Sequence, residues 1–213
     1  MDRRNFCTHV ALASLVGFRS STGWAGLKEL NAAVGNLAAQ GTHAGLAALD
    51  GQERVLDPYR HYPSEAGVVD SETGHRFFFH AHRDKEFGHF HTFSRDQYGA
   101  PVHLVMISIN AQGAPIALST VNQWVTGTRH IAADQMRPFI DTFKMSPACY
   151  KQPDLVRFVT ETIAIHRSEI NTLFHERDTW LERYRSQNTG DPFKDKTHEV
   201  LSQRDIASLK SLK

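Results

Sequence analysis

Only two of the 213 residues are cysteine, which excludes a disulfide-stapled scaffold, and no Cys-x-x-Cys pair occurs. Charge of one sign is also lacking. Lys plus Arg number 24 and Asp plus Glu 23, a formal net charge of +1, so no basic footprint for nucleic acid or an acidic membrane surface is present. No Gly-rich phosphate loop and no nucleophile elbow occurs, and no repeat of 20 to 50 residues is visible. The apolar run from Val10 to Phe18 is too short to span a bilayer. What remains is 40% hydrophobic and 22% charged, the balance of one ordinary globular domain.

The N-terminus has the order of an export signal: Arg3-Arg4-Asn5-Phe6, an apolar stretch, then Gly23-Trp24-Ala25 with small residues where a signal peptidase reads. The arginine pair resembles a twin-arginine signal. This predicts a signal over residues 1–25, cleavage after Ala25, and a periplasmic or secreted mature protein without a membrane anchor. The alternative is an amphipathic N-terminal helix that stays attached in a cytoplasmic chain. Removal of the signal takes Cys7 with it and leaves Cys149 as the only thiol. A lone thiol after Pro147 reads as a packed small hydrophobe.

From residue 26 the chain reads as a single α+β domain. Leu27, Leu30, Val34 and Leu37 recur at helical spacing, predicting a helix to about Leu49 with a break at Gly41. Residues 57–74 are rich in Pro, Gly, Asp and Ser and read as loop. Four strand-like runs follow, at about 76–82, 89–95, 102–110 and 115–125, joined by short turns. Short connections imply an antiparallel meander, because parallel neighbours need a crossover of about a dozen residues or more. Helical patterns return at 131–143 and 154–185, so the expected architecture is a four-stranded or larger antiparallel sheet with helices packed on one face. The tail after about 186 reads as loosely held.

The chemistry concentrates in "FFFHAHRDKEFGHFHTF", Phe77 to Phe93, which holds two His-x-His pairs. Side chains alternate along a strand, and residues directly opposite one another share a face. Pairing His82 with His89, and His80 with His91, puts all four imidazoles on one face and leaves Phe77, Phe79, Ala81 and Phe90 for the core. A one-residue slip would mix Phe and His on both faces. The same projection assigns Val105, Ile107 and His103 to the apolar face. It assigns Leu104, Met106, Ser108, Ala117 and Ser119 to the histidine face.

Three imidazoles on such a patch can reach one ion with bonds of about 2 Å. The expected ligands are His80, His82, His89 and His91. Glu86 in the connecting loop and His130 at a strand end are candidates for further positions. Neutral imidazole suits zinc, iron and copper alike. The readings left open are a metal-dependent enzyme acting on a small molecule, an oxidoreductase or a lyase, and a non-catalytic module that binds a ligand or partner beside structural histidines. His166, Glu169 and His175 read as a solvated helix face, and Trp124 as a cap on a pocket or a core residue.

The segments "HYP" (His61 to Pro63), "FFFHAHR" (Phe77 to Arg83), "GHFHTF" (Gly88 to Phe93) and "NQWVTG" (Asn122 to Gly127) appear in an order that resembles a bacterial family described as a domain of unknown function. The similarity covers roughly Gly26 to Arg185. It implies an arrangement of residues and no mechanism. A weaker resemblance, to metal-binding cupins, lies in joining His-x-His to further strand histidines. Cupins spread those ligands over a longer double-sheet barrel.

Overall fold

The computed structural model describes residues 21–206. The export signal expected over residues 1–25 lies outside the described residues as far as residue 20.

Helix α1 (Ser21–Ala39) is closed by a left-handed Gly41, φ 72°, where a side chain would be strained. Thr42 N–H donates to the Leu37 carbonyl at 3.0 Å and Gly41 N–H to that of Ala38 at 2.9 Å, which satisfies the helix's last carbonyls. The chain restarts as the short α2 (Ala44–Leu49). The break expected at Gly41 is therefore real and has a specific cap.

The segment read as loop carries two edge strands, β1 (Asp57–Tyr62) and β2 (Val68–Val69). Pro58 is tolerated there because an edge strand leaves some N–H positions without a ladder partner. Both lie along the same edge of β3 (Arg76–Ala81), which pairs onward with β4 (Gly88–Arg95), β5 (Pro101–Ile109) and β6 (Pro115–Val121). Asn122 then caps a single helical turn, α3 (Gln123–Thr126). Helix α4 (Ala133–Asp141) follows. The long helix expected over 154–185 is two, α5 (Pro153–Ile165) and α6 (Arg167–Gln187), hinged at His166 with φ −110° and ψ 21°. The tail expected to be loose instead supplies β7 (Val200–Asp205), which pairs with β6. All strand pairs are antiparallel, in the order β1-β3-β4-β5-β6-β7 with β2 beside β3.

This is the α+β arrangement the sequence implies, with seven strands and helices on one side. The sheet is open, and among the described residues there is no double-sheet barrel of the cupin kind. Phe77, Phe79, Phe90, Val105, Ile107 and Leu118 meet Phe158 and Val159 of α5 and Leu173 and Phe174 of α6 in one apolar cluster. Each such side chain contributes about 1.5–3 kcal/mol by leaving water. Packing the helices against this face leaves the other face of β3 and β4 for function. None of the described helices is long and apolar enough to cross a membrane.

One irregularity decides what that other face carries. His91 of β4 opposes Met106, but Phe93 opposes His103, so β5 holds one extra residue across from Thr92. The Thr92 hydroxyl stabilises the bulge by donating to the Val105 carbonyl at 2.7 Å and accepting from its N–H at 3.3 Å. Leu104 and Val105 both enter the core. His103 swings to the histidine face. The projection of His103 into the core and Leu104 onto the histidine face is thus reversed by a single bulge.

Candidate metal centre

The four strand histidines share one face, as the alternation of Phe and His implies, but the pairing differs from the expected one by two residues. His80 opposes His89, and His91 opposes Phe78. A shift of two keeps every side chain on its face. It changes the neighbours, and His82 falls one place beyond the end of β3.

His80, His89 and His91 form a nearly equilateral set of rings, with centroids 5.4, 5.0 and 5.0 Å apart. One nitrogen from each lies within 4.8 Å of the others, and all three residues are buried. This triad could hold a metal ion. His82 stands outside it, half-buried, with its ring 4.9 Å from that of His89 and its Nε2 4.0 Å from Glu199.

The hydrogen bonds around the triad are unequal. Glu86 accepts from His89 Nδ1–H, so whenever the His89 ring is neutral its Nε2 carries the lone pair. That Nε2 is buried and has no partner, and neither does Nδ1 of His80. His91 Nδ1 is engaged with His103 Nε2 at 3.0 Å. Buried nitrogens without partners cost about 1–3 kcal/mol each, and an ion between them would remove that cost. Glu86 therefore lies behind a candidate ligand instead of within the ligand set. Burial pushes its carboxyl up, but the hydrogen bond and charge of His89, with further help from Ser108 and Arg83, bring it below the usual carboxylate range.

Burial also favours the neutral imidazole at His80, His91 and His103. It pushes His80 down to about 2, with the charges of His89, His61 and His82 acting in the same sense. Burial, His89 and His103 hold His91 well below the usual histidine value. Burial and the Arg177 guanidinium push His103 down to about 3. Neutral imidazole is the form that binds a metal.

His130 is elsewhere: its Nε2 lies 3.7 Å from Asp178 and its ring 5.3 Å from that of Phe193, so it is not a member of the triad. Three participants were not singled out from the sequence. His61 stacks on Phe78 at 4.2 Å and meets His80 edge-on at 4.7 Å; "HYP" marked it as part of a motif and gave it no role. His103 was misdirected by the bulge. Glu199 reaches the site because Asn122 Nδ2 donates to the Pro192 and His198 carbonyls at 2.8 and 3.0 Å. Trp124 Nε1 donates to that of Asp195 at 3.0 Å, drawing the segment 192–199 against the sheet.

A cleft of about 690 Å³ opens over His80 and His91, within the range of small-molecule sites. Phe78, Phe93 and Trp124 supply its apolar wall, with His61, His82 and Arg76 among its polar groups. Trp124 therefore lines the cleft. His175 is exposed, as a solvated helix face requires, whereas His166 is half-buried at the hinge between α5 and α6.

A family model described as a domain of unknown function, DUF6969, matches residues 25–206. No curated protein matches this chain, and no solved structure does.

Proposed function

Because the chain belongs to the DUF6969 family, a domain of unknown function, its activity is read from the site, and we propose an exported metal-dependent enzyme acting on a small molecule. The observation that carries the proposal is the convergence of buried imidazole nitrogens, two of them without partners, at one point beneath a cleft. Three protein ligands with open positions are the pattern of catalytic sites, whereas four close a structural one. The exclusion of His82 from the triad favours the first.

Zinc, iron and copper all suit the donor set; an ion bound there would supply Lewis acidity or redox chemistry. The chain's own residues set the rest. Glu86 fixes the tautomer and ring orientation of His89, the arrangement in which a carboxylate orients a metal-binding imidazole. With His91 Nδ1 donating to His103, Nε2 of His91 is free to face the triad. His82 at the cleft wall, beside Glu199, is placed to carry a proton between the cleft and solvent. Such a site serves a lyase or an oxidoreductase, and the identity of the metal decides between them.

Metal analysis of protein purified without a polyhistidine tag tests this reading. One equivalent of a transition metal is expected in the wild type and in His82→Gln, and its loss in His80→Ala and His91→Ala. Sub-stoichiometric metal that these substitutions leave unchanged would make the face a non-catalytic binding module with structural histidines. Export rests on the order of residues 1–25 and is tested by the mass of the mature chain, which should begin at Gly26.

A further inference from the structure

The proposed centre has an unbalanced neighbour. Arg76 shares the face of His80, four residues earlier on β3, and so lies about 13 Å away along the strand at about 3.3 Å per residue. Its guanidinium sits over the Phe93 ring, 4.7 Å from the centroid, and lines the same cleft. Its Nε is buried without a hydrogen-bond partner. Among the described residues no carboxylate pairs with it, and none pairs with Lys196, the cleft's other cation.

The carboxylates that line the cleft lie nearest other partners than Arg76 and Lys196. Glu199 bonds Arg83 at 2.6 Å, and Glu65 lies 3.4 Å from His61. Burial, together with the charge of Arg95, lowers the proton affinity of Arg76, the mark of a cation that its surroundings do not neutralise. Phe78 lies between Arg76 and His80 on β3, and Phe93 opposes Arg76 across the ladder, the two rings 5.3 Å apart.

We infer that the cleft takes a small aromatic carboxylate, its acid group on Arg76, its ring against Trp124 and the accessible edge of Phe78, and its far end over the His80–His89–His91 triad. This substrate class rests on the metal-centre reading for what happens at the far end. Arg76 fits because a guanidinium is planar and can present a two-donor edge to a planar carboxylate. A monoanion is favoured over a phosphate dianion because Glu65 and Glu199, unpaired with these cations but in the same walls, repel a second negative charge.

The test is calorimetric titration at pH 7.5 with 3-phenylpropionate and its neutral amide, on the wild type and on Arg76→Met, with metal content measured on the same samples. The acid should bind the wild type roughly tenfold or more tightly than the amide, the loss typical of removing one side of a charged pair. Arg76→Met should erase that difference while leaving metal content unchanged. Equal binding of acid and amide to the wild type, or no binding of either, would overturn the inference without any appeal to a variant that has to fold. Discrimination surviving in Arg76→Met, or tighter binding of phenyl phosphate than of the acid, would overturn it too. Arg76-dependent discrimination in protein that holds no metal would support the carboxylate site and defeat the metal-centre reading instead, so the two failures are distinguishable.

Discussion

Acid should destabilise the metal-free protein well before its carboxylates titrate. His80 is 6% exposed and His91 2%, and both are held neutral in the folded state, with proton affinities far below the ordinary histidine value near 6.5. For such groups the unfolded chain takes up protons that the folded chain does not, so stability is full above about pH 7 and falls as pH drops below about 6.5. Each histidine contributes a slope of about 1.4 kcal/mol per pH unit in that range. Between pH 7 and pH 5 the loss is about 2 kcal/mol for each, or about 4 kcal/mol for the pair. That is a large part of the 5–15 kcal/mol typical of a domain. His103, half-buried, acts in the same direction and is left out of the sum. The assay is urea denaturation at half-unit steps from pH 8 to pH 5 in the presence of a chelator. His91→Gln should flatten the slope by about 1.4 kcal/mol per unit below pH 6. Stability that is level from pH 7 to pH 5 in the wild type would refute the claim that His80 and His91 are buried and neutral.

Glu86→Ala should lower metal affinity by about 10–100-fold in competition with a chromophoric chelator while leaving the fold intact, since it removes only the group that orients His89. Gly88→Ala should destabilise by about 1–3 kcal/mol in thermal melts. Its new Cβ would lie 2.2 Å from Phe79 Cζ and 2.3 Å from the His80 carbonyl. Thr92→Val should cost about 1–3 kcal/mol by leaving the bulged Val105 backbone without its partner. Loss of the His91–His103 contact by NMR should accompany it, and an unchanged imidazole spectrum would separate the bulge from the placement of His103.

The face that carries the histidines was legible because alternation has a period of two: Phe77, Phe79 and Phe90 need a core, which forces His80, His89 and His91 to the other side. Which histidine opposes which was not legible, since loop geometry sets that, and an offset of two leaves the apolar pattern unchanged. The bulge at Thr92 left no mark either. Leu104 and Val105 are both apolar, and only tertiary context shows that both enter the core. The hinge at His166 lacks the Gly or Pro that usually announces a break, so one continuous stripe read as one helix. Strand β7 was hidden because its two buried central residues, Leu201 and Ser202, give too short an apolar signal beside polar neighbours. The triad's composition was therefore within reach of the sequence. Its size of three, its carboxylate support from Glu86, and its link to His103 needed the fold.

Whether His80, His89 and His91 together ligate one ion is read directly by X-ray absorption fine structure at the edge of the bound metal. Three imidazole scatterers are expected at about 2.0–2.1 Å for a zinc-like ion, with one of them lost in His89→Ala and no change in His130→Ala. A shell with fewer than three imidazoles, or one that His89→Ala leaves unaltered, would contradict the three-histidine site.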